Sequence, residues 1–166
     1  MQDQKIPLAG YIFQQMVPEE EFDSIENTRL MKYLYLVSFT YLLEANHFDN
    51  FTNTPFRDFE YTAYRNGPVE DDIYSYMPDI RAAIRANFDF SRVLKITPAQ
   101  KAFLNSAIKK VQDTFASKGT SWLVDFTHSM LSEWARTPLF KVMTFSSGGY
   151  KTECRALKDY YDYGPN

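Results

Sequence analysis

The longest apolar pattern in the chain runs through residues 27–45, NTRLMKYLYLVSFTYLLEA, where Leu30, Leu34, Val37 and Tyr41 return at steps of four, three and four on one helical face. Met31, Tyr35, Phe39, Leu42 and Leu43 cover the flanks, and formal charge is confined to Arg29, Lys32 and Glu44. A helix patterned in this way packs on several sides. At 1.5 Å per residue it runs roughly 28 Å, long enough to be a post for shorter elements, but too interrupted by polar groups to read as a membrane span. Asp23 or Ser24 is the expected N-cap, with Glu26 adding favourable charge near the helix start.

Before this post, the apolar run 8–16 and the acidic run after Pro18 predict an arm and a solvated connector over residues 1–22. After it, residues 58–64 alternate as a short strand. Asn66-Gly67-Pro68 then predicts a turn with Gly67 at positive φ and Pro68 opening a helix whose first turn carries Glu70, Asp71 and Asp72. Residues 79–87 read as a helix with Ile80 and Ile84 inward and Arg81 and Arg85 outward, and 88–96 as extended. Thr97-Pro98-Ala99-Gln100 has the composition of a capping box with Pro at N1. The helix it opens has the apolar face Leu104, Ile108, Val111 and Phe115, and Gly119 closes it. Thr120-Ser121 starts another helix through Trp122, Leu123, Phe126 and Leu131, with Trp134 near its end. Residues 140–145 predict a terminal strand and Ser146-Ser147-Gly148-Gly149 a break. In the tail beyond, Tyr160, Tyr161 and Tyr163 stand beside Lys158, Asp159 and Asp162 with no period that buries all three rings.

A chain of 166 residues buries roughly 70% of its extended surface, so one domain forms a core without disulfides or metals. The single cysteine, Cys154, has no internal partner, and the N-terminus has no signal-peptide pattern, which predicts a cytoplasmic protein. A net charge of −3 argues against a large nucleic-acid footprint, leaving proteins or small molecules as partners. An aromatic content of 17% supplies rings for a contact surface as well as a core. The tail tyrosines are therefore candidate partner-binding residues, the alternative being that the tail folds back over the core edge.

Candidate chemistry is thin. His47 and His128 lack metal-ligand spacing, and Cys154 has no adjacent base. The segment from Ser147 to Lys151 lacks the spacing of a phosphate loop. Asp125 and His128 are three apart on one helix, a spacing that orients an imidazole, without a nucleophile-elbow serine nearby. A structural His128, held by a carboxylate or a backbone carbonyl, is the simpler reading.

Three pieces carry a family resemblance by their order. They are Leu30-Met31-Lys32-Tyr33-Leu34-Tyr35-Leu36; the turn Tyr64-Arg65-Asn66-Gly67-Pro68-Val69 with Ile73-Tyr74; and Leu123-Val124-Asp125-Phe126-Thr127-His128 followed by Trp134. Over residues 27–138 the chain resembles the Panacea, or SocA-like, antitoxin domain of bacterial and phage toxin–antitoxin systems. Asp-Phe before Thr127-His128 departs from the family's more usual Glu-Leu. The resemblance implies an α+β, mainly α domain built round the apolar helix with a small antiparallel β element, over residues 23–145, with a tail over 146–166. It implies a non-enzymatic antitoxin that binds a cognate protein toxin without a cofactor. The alternative is a phage or mobile-element adaptor that delivers a partner to a protease or modulates host defence. The matched residues Tyr64, Gly67, Pro68, Val69, His128 and Trp134 each have a structural use, in a turn or as packing bodies.

Overall fold

Helix α2 (Asn27–Glu44) is buried at every residue from Leu30 to Leu42. Leu30, Leu34, Leu36, Val37, Phe39 and Leu42 are fully enclosed, each such side chain contributing about 1.5–3 kcal/mol relative to exposure. The computed structural model describes residues 3–129, 132–145 and 148–164. Among these, eight α-helices and one two-stranded antiparallel sheet make an α+β, mainly α fold. No helix among them is long and apolar enough to cross a membrane. The N-cap of α2 is Glu26, later than expected. Ser24 Oγ instead donates to the Glu21 carbonyl (3.1 Å), and Asp23 pairs with Arg85 (2.8 Å).

The expected N-terminal arm is a core helix, α1 (Lys5–Met16), with Leu8, Ala9, Ile12, Phe13 and Met16 buried. Pro7 and Gly10 punctuate the run without breaking it. Pro7 lies in the first turn, where an amide has no intrahelical partner to lose. At Gly10, the Phe90 ring carbons lie 2.6 Å from where a Cβ would stand, so the missing side chain is the docking place for that ring. Phe90 belongs to a 3-10 turn (Phe90–Arg92) within the stretch expected to be extended.

Strands β1 (Tyr61–Tyr64) and β2 (Gly67–Glu70) form a hairpin around Arg65-Asn66, with Tyr64 opposite Gly67 and Ala63 opposite Pro68. Gly67 has φ +114°, as expected of the turn. Pro68, however, lies in β2, not in a helix. The ladder tolerates it because Ala63, its partner, directs its backbone to the other side: Ala63 N–H donates to Lys141 O (2.9 Å) and Ala63 O accepts from Phe140 N–H (2.6 Å). The next helix, α3 (Asp71–Ser75), starts after Glu70, whose carboxylate caps it by accepting from Asp72 N–H (2.9 Å) and Ile73 N–H (3.3 Å).

Helix α4 (Met77–Arg85) turns Ile80 and Ile84 inward. Arg81, expected outward, instead donates to the carbonyls of Phe22 (2.9 Å) and Ile25 (2.7 Å) and to Asn27 Oδ1 (2.6 Å), holding the loop that enters α2. Helix α5 (Pro98–Phe115) has the full capping box of Thr97 and Gln100. Helices α6 (Thr120–Ser129) and α7 (Ser132–Arg136) follow. Leu131, Ser146 and Ser147 lie outside the described residues. Within 140–145 the expected strand is reduced to one bridge, Val142 opposite Thr62, alongside β1.

The expected tail is largely a helix, α8 (Gly149–Tyr163), packed on α2. Cys154, Leu157 and Tyr160 make its buried stripe at steps of three. Glu153, wholly buried, hides that stripe in the sequence; it is held by Tyr35 Oη (2.9 Å) and Glu133 N–H (2.9 Å).

Candidate functional site

The hairpin gathers the residues that the sequence scatters. Trp134 Nε1 donates to the Tyr64 carbonyl (2.7 Å), and the His128 ring stacks on Trp134 at 3.7 Å and 10°. The Arg65 carbonyl in the turn is near enough to His128 to favour its protonated form, while the His128 Nε2 is buried without a hydrogen-bond partner. Thus α7 holds the hairpin by its backbone through Trp134, and α6 backs that ring with His128. Burial and then the Lys32 charge lower the His128 pKa, against Asp125 and the Arg65 carbonyl, which raise it.

Under the turn lies Lys32, 1% exposed and without an ion-pair partner among the described residues. Desolvation lowers its pKa to about 7. Its Nζ occupies the space that a Cβ on Gly67 would need, and Thr127 Oγ1 lies 3.0 Å from that same point. Thr127 Oγ1 in turn donates to the Val124 carbonyl (3.0 Å). Gly67 is therefore required twice, by its φ and by the amine behind it. In the sequence Lys32 is a charge within the motif helix, with nothing to mark it as buried; burial of a cation has no signature in the spacing of apolar residues.

Chemically this interior is an amine whose charge is disfavoured by burial and an imidazole nitrogen without a partner, beneath a turn. No group of three His, Cys, Asp or Glu among the described residues is placed to hold a metal ion. Cys154 is a protonated thiol, raised to about 12 by burial and then by Glu153.

The outer face of the hairpin is different. Tyr64, Arg65, Val69, Asp71, Tyr74 and Phe140 line a groove of about 360 Å³. The Tyr64 hydroxyl donates to Asp71 Oδ1 (2.6 Å), and its ring meets Phe140 edge-on at 5.7 Å. Arg65 and Tyr74 stand in the motif stretches and Phe140 at the start of an expected strand, but the sequence gives none of the three as a site residue. Phe140 lies far from the Gly-Pro turn in the chain and reaches it because residues 140–143 bond to the backbone of β1.

Of the residues expected at the site, Tyr64, Gly67, His128 and Trp134 meet at the turn; Pro68 is buried in β2, and Val69 faces the groove. Tyr160, Tyr161 and Tyr163 are elsewhere. Tyr160 is 7% exposed and stacks on Phe115 at 5.5 Å. Tyr161 Oη bonds to Thr40 Oγ1 (2.7 Å), and of the three only Tyr163, 75% exposed, stands clear of the surface. No family model matches this chain, and no curated protein or solved structure matches it.

Proposed function

We propose that this chain is an antitoxin that neutralises a cognate protein toxin by direct binding in the cytoplasm, without catalysing a reaction. The motif resemblance motivates the reading. One observation carries it: Tyr64, Gly67, His128 and Trp134 meet at a hairpin turn whose outer face displays half-exposed rings in a groove. Protein-binding surfaces are enriched in such aromatic residues, whereas a reaction would require the buried Lys32 amine and the enclosed Nε2 of the half-buried His128 to reach a substrate.

The test is coexpression with the small protein encoded beside this chain. Growth arrest by that protein alone, relieved by coexpression, together with a complex that survives gel filtration, is the expected result. Relief without a complex, accompanied by protease-dependent loss of the toxic protein, would replace direct neutralisation with the adaptor reading. No arrest, or arrest that coexpression leaves untouched, overturns the proposal.

A further inference from the structure

Resting on the reading above, we propose that the hairpin groove receives an acidic segment of the partner protein, seating one large apolar side chain among Tyr64, Val69, Tyr74 and Phe140 with an adjacent carboxylate paired to Arg65.

The apolar half of the argument is exposure. Tyr74 is 49% exposed and Phe140 63%, while Phe13, Phe39, Phe56 and Phe115 are wholly enclosed. Phe140 is also held outward by its backbone. Its φ of +69° is in the left-handed region, which a bulky L residue rarely adopts, and its N–H is tied to the Ala63 carbonyl at 2.6 Å. A backbone held in this way does not have to be ordered when a partner covers the ring, which lowers the cost of using it as an anchor.

The charge half comes from Asp71 and Arg65. Asp71 is a carboxylate lining the groove, and both of its oxygens are engaged: Oδ1 accepts from Tyr64 Oη (2.6 Å) and Oδ2 from Thr62 Oγ1 (2.7 Å). Arg65, exposed at the hairpin tip, carries no ion pair or side-chain hydrogen bond among the described residues. A free guanidinium fork beside an apolar seat selects a carboxylate next to an apolar side chain. A second copy of this chain fits less well, because a two-fold contact brings the patch onto itself and its carboxylate is already held by two hydroxyls. A nucleic acid fits less well too, since one arginine neutralises little phosphate charge.

The purified full chain is panned against a phage-displayed random-peptide library, and the selected peptides are measured by calorimetry. The expected consensus is an aromatic or long aliphatic residue flanked by Asp or Glu. Its affinity falls about tenfold or more with Arg65→Glu and with Phe140→Ser, and a peptide with the acidic residue changed to Lys recovers binding to Arg65→Glu. Melting curves accompany each variant, and Tyr74→Ala replaces Phe140→Ser if that variant unfolds. A basic consensus, no consensus, or peptides indifferent to Arg65→Glu and to the ring variants overturns the proposal. So does a concentration-dependent dimer abolished by Arg65→Glu, which makes the occupant a second copy, or a labelled single-stranded oligonucleotide whose binding that change removes. The toxic neighbour separates the two readings: if it binds the variants as tightly as wild type, the groove falls and the antitoxin stands. If no neighbour is toxic while acidic peptides behave as expected, the antitoxin falls and the groove stands.

Discussion

The amine of Lys32 fills the place where a side chain on Gly67 would begin, so the central helix and the hairpin turn are fitted to each other through one shared volume. Gly67→Ala must therefore pay for two faults, a β-carbon at φ +114° and a collision with Nζ. The backbone fault alone costs about 1–3 kcal/mol. Lys32→Ala removes only the collision, so in urea unfolding of the two single variants and the double variant, the double variant is more stable than additivity predicts by more than about 0.5 kcal/mol. Strict additivity would mean that the contact carries no energy.

Lys32 also sets a pH dependence. Its folded pKa of about 7 is below its unfolded value of about 10.4, so the unfolded chain binds more protons between those limits and stability rises with pH across that window. Below about pH 7 both states are charged and the burial penalty is present in full. Between pH 7 and pH 9 the expected gain is about 2–3 kcal/mol, and it disappears in Lys32→Met. His128 is also lowered, so its own contribution rises as pH passes its unfolded value of about 6.5 and levels off above it, leaving the rise from about pH 8 upward to Lys32. A wild-type profile that runs parallel to that of Lys32→Met sinks this assignment.

Leu34→Asp abolishes cooperative folding. Leu34 is wholly buried in a helix enclosed on all sides, and an unpaired carboxylate there costs several kcal/mol of a total near 5–15. Circular dichroism is the check, and an unchanged melting temperature would show that α2 is not the centre of the core.

Removing residues 156–166 takes Leu157 and Tyr160 from the core, and Tyr160→Ala alone costs about 3 kcal/mol. Tyr163→Ala, at a ring 75% exposed, leaves the unfolding midpoint within error. If the truncated chain melts like the full one, α8 is an appendage.

The parts of this fold that the sequence made legible are those with a local cause. The apolar cover of residues 30–42 announces a buried helix, Thr97 and Gln100 announce a helix start, and Gly67 announces positive φ. What escaped depends on partners distant in sequence. Pro68 reads as a helix opener until Lys141 and Phe140 are seen taking the backbone of its cross-strand neighbour. The helix α1 reads as an arm because the ring that needs Gly10 is at Phe90, and α8 reads as a tail because Glu153 is buried by bonds to Tyr35 and Glu133. The site divides in the same way. Its turn and its Trp134 were visible, whereas its groove requires Phe140, brought there by tertiary pairing alone.

Helix α8 covers one flank of α2, and that order in the chain has a kinetic consequence. About 120 residues separate the end of α2 at Glu44 from the end of α8 at Tyr163. At roughly 5–20 residues per second, a ribosome holds the nascent helix with that flank bare for about 6 to 24 seconds. During this interval Phe39 and its neighbours are an open binding site for holdase chaperones, and slowing elongation after residue 44 lengthens that dependence in step.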